Sequence, residues 1–171
     1  MSKAFFEIIR PGIHSTLQDL GRSNQYHIGI PFSGSMDKRN YLIGNKLLGN
    51  NLNDASLEFA YQGPLMKFNS GNATGVITGN VTFNIIRKNS KIDKGACYET
   101  FVLNDGDMLD IISTNRSVYG YFSIKNGFTG EYIWESCSIN TKAKIGSNNG
   151  EKFENKQKVY INKKESLADH K

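Results

Sequence analysis

Long apolar runs are missing from this sequence. No stretch approaches the ~20 apolar residues that a membrane-spanning helix needs, and the mean hydropathy is −0.46. The opening residues, Met1-Ser2-Lys3-Ala4-Phe5-Phe6-Glu7, carry neither the apolar stretch nor the small-residue cleavage site of a secretion signal. The expectation is a cytoplasmic protein that uses no membrane. Cysteine is scarce: Cys97 and Cys137 are the only two, too few for a disulfide framework and expected to be free thiols. Together with His14, His27 and His170 they lack zinc-site spacing, so no metal site is expected. Proline is nearly absent, with 3 residues against 17 Gly and 18 Phe plus Tyr. That balance argues against disorder and for a folded chain rich in turns.

Several chemical signatures are also missing. No G-x-x-x-x-G-K-[ST] loop cradles a phosphate, and no G-x-G-x-x-G links a strand to a helix. No G-x-S-x-G marks a nucleophile elbow. Asn104-Asp105-Gly106-Asp107 superficially resembles a calcium loop but lacks its later glycine and glutamate, and reads as a hairpin turn. The net charge of +5 is concentrated in residues 142–171, where eight Lys face four acidic residues. This lysine-rich end is poor in aromatics, which argues against a nucleic-acid interface.

The pattern that is present is mainly β. Residues 4–9 read as a strand ending at Pro11-Gly12, and residues 26–30 as a short strand stopped by Pro31. One helix is predicted at about 36–48, with Ser33 or Ser35 as its cap, Asp37 in its first turn and Gly49 at its end. Ile43 and Leu47 give it an apolar face. Strands follow at 57–61, 65–69, 73–78, 81–87, 97–103, 108–113, 117–125 and 132–135, with a further one at 159–161. Turn signals at such even spacing indicate an antiparallel barrel or sandwich. Residues 1–161 are taken as one domain, and 162–171 as a flexible lysine-rich tail.

The informative region is residues 10–64. It holds Pro11-Gly12-Ile13-His14-Ser15-Thr16-Leu17-Gln18-Asp19-Leu20-Gly21-Arg22, then Gly29-Ile30-Pro31-Phe32-Ser33-Gly34-Ser35-Met36-Asp37. Gly44-Asn45, Leu57-Glu58 and Gly63-Pro64 complete it. Fragments in this order resemble the biotin-dependent carboxyltransferase family, which includes a 5-oxoprolinase subunit, KipA and allophanate hydrolase subunit 2. The resemblance implies a cyclophilin-like β-barrel, closed or partly open. It also implies a subunit that works with a KipI-like (allophanate hydrolase subunit 1-like) partner on a small-molecule substrate of amide type. Family members act in ATP-dependent cleavage of 5-oxoproline, or transfer a carboxyl group from carboxybiotin to urea.

Several residues of these motifs suit such chemistry. Asp19 and Asp37 are the candidate catalytic groups. Gln18, Arg22, Ser33, Ser35, Asn45 and Glu58 are candidate substrate contacts: amides donate and accept, Arg22 can clasp an anion in bidentate fashion, and serines at a helix start favour anions. Each has a plainer alternative. Asp37 and Ser33 also suit a helix cap, Asp19 and Arg22 a structural ion pair, and Glu58 a salt bridge within a strand. Loops 14–22 and 29–37 are expected side by side around one pocket, with Met36 pointing inward as filler.

Two departures stand out. The resemblance implies a second β module beyond the point where this sequence stops, which leaves three forms open: a natural half, a split gene with a separately encoded second half as partner, or a fragment. Where the family has G-S-R-S-T, this chain reads Glu135-Ser136-Cys137-Ser138-Ile139, and a following arginine is Lys142. Three readings follow. The first is a subunit of a heteromeric ATP-dependent amide hydrolase of the 5-oxoprolinase type, with ATP held together with a partner. The second is a carboxyltransferase component whose biotin is carried by a partner. The third is a non-catalytic binding or regulatory half, KipI antagonist-like.

Overall fold

In the strand β1 (Phe5–Arg10), Phe6 and Ile8 are fully buried and Glu7 is not. This is the period-two pattern of a sheet with one face on a core. The same alternation runs through β6 (Val81–Ile86), where Val81, Phe83 and Ile85 face inward. In the computed structural model, which describes residues 3–163, these strands belong to a six-stranded antiparallel sheet. Its order is β11 (Lys158–Tyr160), β1, β4 (Leu65–Asn69), β9 (Met108–Thr114), β6 and β7 (Ile92–Lys94). A five-stranded antiparallel sheet packs on it, in the order β2 (His14–Gln18), β3 (Ser56–Ala60), β10 (Tyr119–Ile124), β5 (Asn72–Thr78) and β8 (Thr100–Asn104).

The expectation of a mainly β fold with one main helix holds, and of the closed and partly open forms the sheets take the open one. Between the sheets lies the apolar core. Phe6, Phe68, Phe122 and Phe128 meet there with ring centroids 5.1–6.1 Å apart, each ring contributing roughly 1.5–3 kcal/mol by burial. The one α-helix among the described residues, α1 (Lys38–Leu47), lies on the other face of the five-stranded sheet. Thr78 Oγ1 donates to Asn40 O at 2.8 Å. A Cβ at Gly44 would stand 2.5 Å from Ser123 Oγ, so only glycine lets the helix approach this closely.

Several sequence expectations need correction. Residues 26–30 form no strand: Tyr26–Ile28 is a 3₁₀ turn, in which Gln25 O accepts from both Ile28 N and Ile30 N. Residues 132–135 also form no strand. Ile133 and Ser136 pair across a two-residue turn with Trp134 at φ 47° and Glu135 at φ 64°. Residues 14–18, expected as loop, form β2, whose polar side chains hide its alternation. The short β7 has no counterpart among the expected strands. The helix cap is Asp37, whose carboxylate accepts from Asn40 N at 3.2 Å; neither Ser33 nor Ser35 caps it. Most of the expected tail, residues 164–171, lies outside the described residues.

Candidate functional site

The outer face of the five-stranded sheet is polar and yet buried. Register places Thr16, Glu58 and Tyr121 in one row, and Gln18 and Ser56 in the next. Glu58 and Gln18 are each 4% exposed, and Tyr121 is fully buried. Helix α1 covers part of this face. Beside it a cleft of about 500 Å³ opens, whose lining includes Gln18, Ser33, Met36, Glu58, Asn140 and Lys142. The two motif loops meet as expected: Arg22 N donates to Phe32 O at 2.6 Å, and Ser35 N to Asp19 O at 3.0 Å. Gln18 and Ser33 therefore line one cleft. Met36 is no filler. It is 66% exposed at the cleft mouth, because its backbone N–H is drawn to Glu58 Oε2 at 2.8 Å.

The hydrogen-bond inventory of the cleft is incomplete in a telling way. Gln18 Nε2 donates to Thr16 Oγ1 and Ile139 O, both at 2.9 Å, while its buried Oε1 has no partner. Glu58 Oε2 accepts from Tyr121 Oη at 2.5 Å and from Met36 N; no bond to Oε1 is found among the described residues. Burial pushes the Glu58 carboxyl above its ordinary range, against these two donors, and the charge of Asp37 adds to the rise. His14, also in the lining, is held low by burial and by nearby Lys152, so it is neutral at neutral pH. Lys142 makes no ion pair among the described residues and is the one lysine of the lining.

Asp19 and Arg22 stand behind the cleft wall. Asp19 is fully buried. It accepts from Gly21 N (2.8 Å), Ser136 Oγ (2.6 Å), Ser138 Oγ (2.7 Å) and Cys137 N (2.8 Å). Burial alone would raise its carboxyl, but these four donors outweigh burial and hold it below the ordinary range. Arg22, 1% exposed, forms no ion pair with Asp19, contrary to the structural alternative given above. Its guanidinium donates to Ile133 O, Ser136 O and Ser138 O at 2.8–3.1 Å. Both residues thus grip the 133–138 segment from beneath, and that segment leads into the cleft residues Ile139 to Lys142.

The remaining expected contacts are dispersed. Ser35 is buried with an unpartnered Oγ. Asn45 is fully buried at the far end of α1, donating to Asp54 O and accepting from Asn50. It supports a separate hollow of about 470 Å³ that shares no lining residue with the cleft. Cys137 lies in the apolar core, its thiol pushed up by burial, so the position of the missing arginine does not reach the cleft. Tyr121, the group closest to Glu58, is not among the residues expected from sequence; the alternation of Tyr119, Tyr121 and Ser123 along one strand is its only signal.

The geometry defines a two-sheet β module with a cleft over the outer face of one sheet. The more particular assignment comes from comparison. Residues 28–171 match the family model "Carboxyltransferase domain, subdomain A and B", and the chain belongs to that family. A urea amidolyase of Lachancea kluyveri is 26% identical over 94% of this chain and 8% of its own length. A 5-oxoprolinase subunit of Haemophilus influenzae is 29% identical over 80% of this chain and 42% of its own. The crystal structure of the Kluyveromyces lactis urea amidolyase superposes with a TM-score of 0.87 at 26% identity, covering 95% of this chain and 10% of that one. The chain thus spans less than half the length of each of these relatives. Among the described residues no helix is long and apolar enough to cross a membrane.

Proposed function

We propose that the cleft binds a small amide or lactam, and that the chain works as one part of a heteromeric ATP-dependent amide hydrolase of the 5-oxoprolinase type. The observation that carries this reading is two acceptors on one cleft wall: Gln18 Oε1, buried and without a partner, and Glu58 Oε1, to which no described residue donates. Buried acceptors call for donors, and an amide or lactam N–H supplies them. Lys142 suits the carbonyl or a carboxylate of the same molecule. Glu58 takes the proton-handling part: its carboxyl is raised, and Asp19 and Asp37 have their oxygens engaged in holding the 133–138 segment and the helix start.

The lining does not fit a nucleoside triphosphate. One lysine facing a buried glutamate cannot neutralise three phosphates. ATP in this reading belongs to a KipI-like partner or to a separately encoded second β module. The urea amidolyase relatives favour a second reading, carboxyl transfer to an amide nitrogen, with biotin carried by a partner. Either activity belongs in the cytoplasm, where Cys97 and Cys137 stay free thiols.

Reconstitution tests both readings. The chain, a KipI-like protein and a second module are combined and assayed on 5-oxoproline with ATP, then on urea with a biotin carboxylase. Glu58→Gln is expected to abolish whichever activity appears. Full activity in that variant would refute the site assignment, and no activity on either substrate would leave the regulatory role as the better account.

A further inference from the structure

Tyr121 does more than fill space beside Glu58. Its phenol is fully buried and meets two groups. Asp37 N–H donates to Tyr121 Oη at 2.8 Å. The phenol has one proton, and with the acceptor side taken by Asp37 N–H that proton goes to Glu58 Oε2, 2.5 Å away. Met36 N–H donates to the same oxygen at 2.8 Å. Oε2 therefore receives two donors and has no room for a proton of its own. Oε1 has no partner among the described residues and belongs to the cleft.

We infer that Tyr121 is a positioning residue that reserves a single oxygen of Glu58, Oε1, for the cleft ligand, so that any proton Glu58 gains or releases is carried on the cleft side. The inference rests on the cleft being the binding site. The Tyr121 ring is itself held by an edge contact with Tyr41, centroids 6.2 Å apart at 71°, and Tyr41 Oη donates to Asp54 O at 2.7 Å. Asp37 N–H belongs to the residue that caps α1, so the helix start and the carboxyl are tied through one phenol. The other titratable groups around Glu58 are Asp37 on the helix side, His14 and Lys142 in the cleft, and Tyr61 and Tyr119 on its wall.

The test needs no activity. Carbon-13 NMR follows the glutamate side-chain carboxyls of the labelled chain through a pH titration, and Glu58→Gln identifies the Glu58 signal. Removing a donor from the charged form makes the proton bind more tightly. Tyr121→Phe is expected to move the Glu58 midpoint up by about one pH unit, a tenfold change in proton affinity. A difluorotyrosine placed at position 121 keeps the shape and donates more strongly; it is expected to move the midpoint down, and it carries the test if Tyr121→Phe fails to fold. An unmoved midpoint in the folded variants overturns the inference. Adding 2-pyrrolidinone or urea then separates the two claims. A ligand-induced shift at Glu58 supports the binding reading, while a Tyr121 effect without any ligand shift refutes that reading and leaves the positioning role standing.

Discussion

On β3, Leu57 and Phe59 point into the space between the sheets, whereas Ser56 and Glu58 point the opposite way. On β10, Phe122 and Ile124 face the core, and Tyr121 and Ser123 face the helix and cleft. All eight side chains are at most 4% exposed. The two faces of one sheet are equally dry and chemically opposite. The inner face is held by shape and area alone, which many apolar combinations could supply. The outer face is held by named partners: Ser56 to Ser123 at 2.8 Å, Tyr121 to Glu58, Thr78 to Asn40. Where a polar atom of that face is left unpaired, as at Gln18 Oε1, the cleft is next to it.

The comparison can be broken from its strong end first. Phe122→Ala on the inner face is expected to cost about 4 kcal/mol of unfolding free energy, measured by urea titration, since a large ring leaves a cavity. A loss below about 2 kcal/mol would mean that the core collapses around the gap. Behind the cleft wall, Asp19→Asn is expected to cost about 3 kcal/mol, because an amide presents a donor to groups that are donors themselves. Its pH signature sharpens the point. Asp19 has a lowered carboxyl in the fold, so its contribution is full above the ordinary carboxylate range and is lost as pH falls through the folded value. The Asn variant should lack that acid-side fall.

Gly44→Ala should cost about 1 kcal/mol in thermal denaturation: the added methyl meets Ser123 Oγ, and its better helix propensity offsets only part of the strain. Glu58→Gln is expected to change stability by no more than about 1 kcal/mol at neutral pH, as the Gln carbonyl can still accept from Tyr121. It should alter the slope with pH. A carboxyl raised in the fold makes the native state lose stability as pH rises from the ordinary glutamate range through the folded value; the Gln variant should be flat there. Met36→Ser, at an exposed position, should stay within about 0.5 kcal/mol.

What is legible in the sequence follows the same division. The expected bounds of β4, 65–69, match the strand because Gly63-Pro64 and Ser70-Gly71 are local signals. The inner face announces itself through Phe, Leu and Ile at alternate positions. The outer face does not, since Thr16 and Gln18 read as surface or loop when nothing shows that a helix and two loops will cover them. The ordered motifs do place Gln18, Ser33 and Glu58 around one cleft. They cannot show that Asp19 spends both oxygens on the 133–138 segment, or that Tyr121 meets Glu58, because both facts depend on contacts between residues distant in sequence. The turn at Trp134 and Glu135 escapes for a related reason: bulky residues at positive φ defy local preference and are held there by the grip of Arg22 on Ile133 O and Ser136 O.

The pairing of β1 with β11 bears on how the chain reaches this state. Phe5 lies opposite Tyr160 and Glu7 opposite Lys158, so β1 is flanked on one side by a strand from the other end of the described residues. Until β11 emerges, one edge of β1 presents unpaired amides and carbonyls, an invitation to other strands. Contacts this distant in sequence slow folding, and refolding should be sensitive to protein concentration, with aggregation growing when a truncation removes residues 158–160.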